Sequence, residues 1–389
     1  MTREERIIVD ITRWRRTAFF IGGAGLILTL SGVFVSLDQF FRSYLWAFLF
    51  WFSLALGCLP LLMLYHLVGG GWGFTIRRII ESGTRTLPIM AIFFVPILLG
   101  VHNLYEWSHA DRVAADEALQ QKHLFLNVPF WIVRAVLYFT IWLFYSRRLN
   151  ALSAAQDDTG DERIVKRFQK ISGPGLVFYG LTITFAVFDW AMSLEPHWYS
   201  TIYGMMWIVS QALSALAFSI AVVALLSERA PIVQLSRPDH LHDLGNLLLA
   251  FVMLWAYLSF SQFLIIWSGT LPEEIQWYLS RINNGWQWVA AALLVFHFFV
   301  PFFLLLSRFR KRRVRSLTIV ALLVLLMRVV DTFWLVTPAF YGQRFTVHWL
   351  DFFALVGIGG FWLATYAGEL IAMPLIPIHD PNAAPHKAI

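Results

Sequence analysis

Ten long apolar runs divide this 389-residue chain, and they constrain its fold more than any other feature. They lie near 17–37, 44–68, 86–106, 125–146, 174–194, 203–227, 244–268, 286–307, 316–337 and 350–372. A helix needs roughly 20 apolar residues to cross the hydrocarbon of a bilayer. Backbone polar groups must pair internally there, so runs of this length fold as helices. Charged residues make up only 14% of the chain, against roughly 25% in soluble domains. A soluble protein of two or three domains is excluded. The predicted class is an all-α integral membrane protein with ten transmembrane helices. It forms a single polytopic domain: an N-terminal segment 1–16, the spans within 17–372, and a tail 373–389.

The basic residues alternate from one connection to the next. Of 30 Lys and Arg, 23 fall in the N-terminus, the tail and the connections after spans two, four, six and eight; 5 fall in the other connections. Arg134 and Arg328 lie inside spans. This bias predicts both termini on the cytoplasmic side. It also explains the net charge of +6 without a nucleic-acid surface. The run Arg308-Phe309-Arg310-Lys311-Arg312-Arg313-Val314-Arg315 reads as an anchor against anionic lipid, and the stretch from Ile7 to Trp14 as an interfacial segment. The connection 147–172 reads as a solvated loop, and the proline-rich tail as an extended strand of chain over a surface. The single Cys58 excludes an intrachain disulfide, a Cys-x-x-Cys metal site and a Cys-x-x-Cys-His haem attachment. No cleavage site follows the first apolar run, so no cleaved signal peptide is expected.

Ionisable side chains at membrane depth are costly unless paired, protonated or hydrated, and they mark candidate functional sites. Asp189 lies about 8 Å from the outer end of span five, and Arg134 about 14 Å down span four at 1.5 Å per residue. Asp189 is a candidate partner for Arg134. Arg328 and Asp331 are three apart and share a helix face. His102 and Glu106, four apart near the end of span three, would share one too. Glu195 and His197 follow span five, and His297 sits near the middle of span eight. These nine residues are the candidates for a proton path, and the ionisable groups gather in the outer half. No metal site is expected. A bis-imidazole haem would need two His facing each other from different spans; His102 and His297, the deepest pair, differ in depth by about 10 Å.

Four stretches carry a resemblance: Phe188-Asp189-Trp190-Ala191-Met192-Ser193-Leu194-Glu195-Pro196-His197-Trp198-Tyr199-Ser200-Thr201, Trp267-Ser268-Gly269-Thr270-Leu271-Pro272-Glu273-Glu274, Asn284-Gly285-Trp286-Gln287-Trp288 and Met327-Arg328-Val329-Val330-Asp331. The chain resembles the F subunits of bacterial alternative complex III, which are similar to the polysulfide-reductase membrane subunit (NrfD-like proteins). The resemblance implies two four-helix bundles, spans two to five and six to nine, with spans one and ten peripheral. It implies a bacterial inner-membrane complex that oxidises quinol and passes electrons to cytochrome c or directly to a terminal oxidase. The implied partners are a sister NrfD-like membrane subunit, a multihaem cytochrome c, an iron–sulfur subunit and a monohaem cytochrome c. Haem and iron–sulfur centres would belong to those partners, leaving quinone, quinol or lipid as the ligands of this chain, none of them covalently bound; the resemblance implies for the nine candidates a proton path, a second quinone site or scaffolding beside a quinol-oxidising sister subunit. A secondary transporter is the alternative that ten spans and Gly-rich interruptions such as Gly357-Ile358-Gly359-Gly360 also accommodate.

Overall fold

The computed structural model describes residues 3–226, 237–341 and 344–381. It contains ten helices long and apolar enough to cross a membrane: Ile7–Phe34, Leu37–Val68, Gly71–Leu99, Val128–Thr159, Arg163–Leu194, Ile202–Leu226, Pro238–Gly269, Trp286–Leu306, Val314–Val336 and Trp349–Ile371. They correspond one to one with the ten apolar runs, and no strand occurs among the described residues. The protein is an all-α, multi-pass membrane protein. With ten crossings, the described chain begins and ends on one face, here the terminal face; the other is the opposite face.

Local chemistry sets the helix ends. Ser36 caps the second span by accepting from the Gln39 amide, and Gly69 and Gly70, both at positive φ, turn the chain into the third. Asn127 caps the fourth span through the Phe130 amide, and Gly160 closes it in the left-handed conformation that favours glycine. His348 and Asp351 form a reciprocal capping box at the start of the tenth.

Spans two to five pack together, as do spans six to nine, and the bundles meet where the second span lies on the sixth. These two helices are the most enclosed of the ten, their apolar windows 89% and 78% buried. Gly57 makes the approach possible: a Cβ there would stand 2.1 Å from the Gln211 carbonyl oxygen. Between helices in lipid, close packing of this kind replaces the hydrophobic drive. The tenth span lies against the second and third, and the first rests on the tenth. Large apolar side chains such as Phe20, Leu99, Val133 and Tyr257 point outward, to the lipid.

Three expectations about the connections are corrected. The third span starts at Gly71, not near 86, so Arg77 and Arg78 belong to a buried helix and not to a basic loop. Helical hydrogen bonding carries the fourth span through Thr159 and starts the fifth at Arg163, which reduces the expected loop 147–172 to a short turn. The stretch from Ile7 to Trp14 continues the first span, with Ile7 and Ile11 buried. The described part of the tail, 373–381, carries no α-helix, and Asp380 near its end is buried. The remaining tail residues, 382–389, lie outside the described residues.

Candidate functional site

The stretch 188–201 ends the fifth span at the opposite face. Its Asp189 is fully buried and meets Arg134 of the fourth span in a two-pronged pair, Nη2 to Oδ1 at 2.6 Å and Nε to Oδ2 at 2.9 Å. The Tyr138 hydroxyl donates to Oδ2 at 2.9 Å, and Arg134 Nη1 donates to the Phe125 carbonyl. The rings of Phe125 and Phe130 lie 3.9 and 4.4 Å from the guanidinium carbon. The Asp189 carbonyl is held as well, by the Trp131 indole at 3.0 Å and by Ser193 Oγ at 2.6 Å. A carboxylate so fully bonded is a joint between helices. Three donors, two of them from the fixed fork of Arg134, hold its two oxygens.

Glu195 reaches into the second bundle. Arg281 donates to it at 2.6 and 3.1 Å and to the Leu335 carbonyl at 2.9 Å. Arg281 is itself fully buried, its guanidinium 3.9 Å above the Trp277 ring. Trp198 stacks on the same Trp277, centroids 4.8 Å apart and planes within 15°. The helix Pro272–Ile282, which joins spans seven and eight, is therefore clamped to the end of the fifth span by one ion pair and one ring stack. Lys122 supports the turn from outside by donating to the Pro196 carbonyl. Partial burial pushes its amine pKa down, and Asp116 opposes that shift. His197 is exposed and lies 3.1 Å from Asp116.

His102 and Glu106 are not on one helix face, which corrects the spacing argument. Gly100 ends the third span, and the two residues sit in a short helix and a separate turn beyond it. His102 Nδ1 lies 3.1 Å from Ser108 Oγ, whereas Glu106 pairs with Arg112 at 2.8 Å. Both line a polar cavity of about 520 Å³ at the opposite face, with Asp38, Arg42 and His109.

Arg328 and Asp331 pair on the ninth span. Ser214 accepts from Arg328 at 3.2 Å, and Trp255 donates to Asp331 at 3.2 Å. His297 is fully buried in a π-helical segment, Leu293–Phe299, its ring 4.1 Å from Trp255. Neither of its nitrogens has a hydrogen-bond partner among the described residues, and Arg328 Nη2 also lacks one. π-Helical turns concentrate at functional sites because they shift side chains out of α register. Beside this group, under the Pro272–Ile282 helix, lies a mainly apolar cavity of about 440 Å³. Asp331, Ser259, Trp334 and Tyr278 line it, and exposed Phe260 and Leu294 mark its side toward lipid. Trp334 Nε1 and Ser259 Oγ are buried without partners among the described residues. Burial pushes the Tyr278 phenol pKa up.

A second charged cluster was not foreseen. At the terminal face Arg77 bonds Glu81 at 2.8 Å, Asp380 at 2.6 Å, Ser153 at 3.0 Å and Gln156 at 2.8 Å. Arg78 bonds Glu81 at 2.7 Å and also pairs with Asp157. The Tyr65 hydroxyl donates to Asp380 at 2.6 Å. The signal was present as Arg77 and Glu81 four apart in an amphipathic stretch. Arg281 was missed for a similar reason: it sits outside every apolar run.

Among the described residues, no three His, Cys, Asp or Glu side chains gather as a metal site. Compared with known families and curated proteins, the chain matches no family model and no curated protein.

Proposed function

We propose that the chain is an integral subunit of a quinol-oxidising respiratory complex similar to alternative complex III, placed in the bacterial inner membrane with both termini cytoplasmic. The observation that carries this reading is the use made of the 188–201 stretch. Its Glu195 and Trp198 fix the roof of the 440 Å³ cavity in the second bundle, and Arg328-Val329-Val330-Asp331 supplies that cavity's carboxylate. Residues of two separate sequence signatures thus serve one place in space.

The cavity suits the ring head of a quinone. Its walls are apolar, its side faces lipid, and its polar atoms are few. The Trp334 N–H can donate to a quinone oxygen, and Asp331 can accept from a quinol hydroxyl. Oxidation of quinol releases two electrons and two protons. The electrons leave to haem and iron–sulfur centres of partner subunits. The protons leave toward the outer face, where the cavity around His102 and Glu106 offers bases. The Arg134–Asp189 and Glu195–Arg281 pairs hold the frame. The 23-to-5 bias in Lys and Arg supports the orientation, although Arg77 and Arg78 contribute to it from a buried helix.

Deleting the chain from a host that carries it should abolish quinol-dependent cytochrome c reduction in isolated membranes, and re-expression should restore it. Undiminished reduction in the deletion membranes overturns the reading.

A further inference from the structure

We propose that the chain carries a built seat for one anionic phospholipid, between spans one, two and ten on the terminal-face side. This goes beyond the proposed activity and does not depend on it. The seat follows from how the first span packs. That helix rests on the tenth and scarcely meets the second. Its close crossing is made of glycines: a Cβ on Gly22 would lie 2.6 Å from the Phe361 amide nitrogen, and one on Gly25 would lie 2.7 Å from the Gly357 nitrogen. Toward the terminal face a slot of about 600 Å³ opens, lined by Arg13, Trp14, Ala18, Ile21, Trp51 and Leu363 among others.

The slot has the polarity of a lipid. Its length, from the level of Asp10 to that of Ile21, is about 16 Å at 1.5 Å per residue. Deep in it the walls are apolar. Trp51 forms the back wall, its indole nitrogen already donating to the Leu355 carbonyl at 2.8 Å. Gly359 leaves room for that ring, because a Cβ there would fall 2.1 Å from it. The mouth is polar. Arg13 is exposed and makes no ion pair among the described residues. Trp14 is 41% exposed beside it, an interfacial residue by type. Asp10 shares the mouth, while Arg16 follows on the next turn. A soluble anion would gain nothing from the apolar depth, and a zwitterionic phospholipid, whose phosphate also reaches Arg13, would bring its own ammonium to the same mouth. A phospholipid with a net negative head uses both, with its phosphate at Arg13 and one acyl chain against Trp51. The lipid thereby fills the gap between the first and second spans.

Native mass spectrometry of the full chain, in nonionic detergent, tests this by titration with phosphatidylglycerol and with phosphatidylethanolamine of the same acyl chains. One phosphatidylglycerol should bind about five-fold more tightly than phosphatidylethanolamine, the size of one interfacial cation. Arg13→Gln, at an exposed position, should erase that preference. Arg310→Gln, an exposed cation elsewhere on the same face, should leave it intact. Ala18→Phe should weaken both lipids more than ten-fold by filling the slot. Equal binding of the two lipids to the native chain overturns the proposal. So does a preference that survives Arg13→Gln, or one that falls as much with Arg310→Gln.

Discussion

Replacing Arg134 with Gln should cost about 3–5 kcal/mol of stability, because it leaves the Asp189 carboxylate buried without its cation. The Tyr138 hydroxyl would be the one charge-facing donor left on that carboxylate. Asp189→Asn should also destabilise: its single amide oxygen can accept from Arg134 Nε and Tyr138, but its NH2 then faces Arg134 Nη2 and leaves that guanidinium without a counter-charge. The double replacement Arg134→Met with Asp189→Leu should recover most of the loss, as apolar substitutes for buried ion pairs often do. Denaturant unfolding in detergent, read as a double-mutant cycle, measures all three. A cost below about 1 kcal/mol for Arg134→Gln would place the pair among exposed ion pairs, contrary to its geometry. The same variants separate structure from chemistry: Asp189→Asn should fold, assemble and turn over.

Arg77→Gln should be comparably costly, again about 3–5 kcal/mol, since Glu81 and Asp380 both turn to its guanidinium. The consequence reaches the tail. Asp380 is 303 residues away in sequence, yet it ties the tail to the third span. The His379 carbonyl, which accepts from Gln156 at 3.2 Å, and the Ile378 amide, which donates to Asp157 at 3.2 Å, complete the strap. Arg77→Gln should therefore free the tail to proteases near Met373 while the spans stay intact. Asp380→Asn should do the same with a smaller loss of stability, about 1–3 kcal/mol for a buried bond left unmade. Limited proteolysis with mass analysis reads the cut site. Unchanged tail protection in both variants would contradict the strap.

The ten spans were legible because hydrophobic run length is a direct reading of bilayer thickness. Arg328 and Asp331 were legible as a pair because three residues is nearly one helical turn. Arg134 and Asp189 could be matched only by depth, and the structure brings them together from adjacent helices. The charged cluster around Arg77 was hidden by the same logic that found the spans. A helix with Arg77, Arg78 and Glu81 reads as a polar loop, and its partners, Asp157 and Asp380, come from distant chain segments. The spacing of His102 and Glu106 misled because it assumes a continuous helix, which Gly100 ends. Arg281 and the cavity beneath its helix depend on the meeting of two bundles, a relation that periodicity along one chain does not contain.

Affinity purification of the tagged chain from native membranes, in mild detergent, tests the central claim most directly. The account predicts a stable assembly containing a second polytopic subunit, an iron–sulfur subunit and c-type haem absorbance that quinol reduces. A clean, colourless single chain, recovered intact and without such partners, would contradict it.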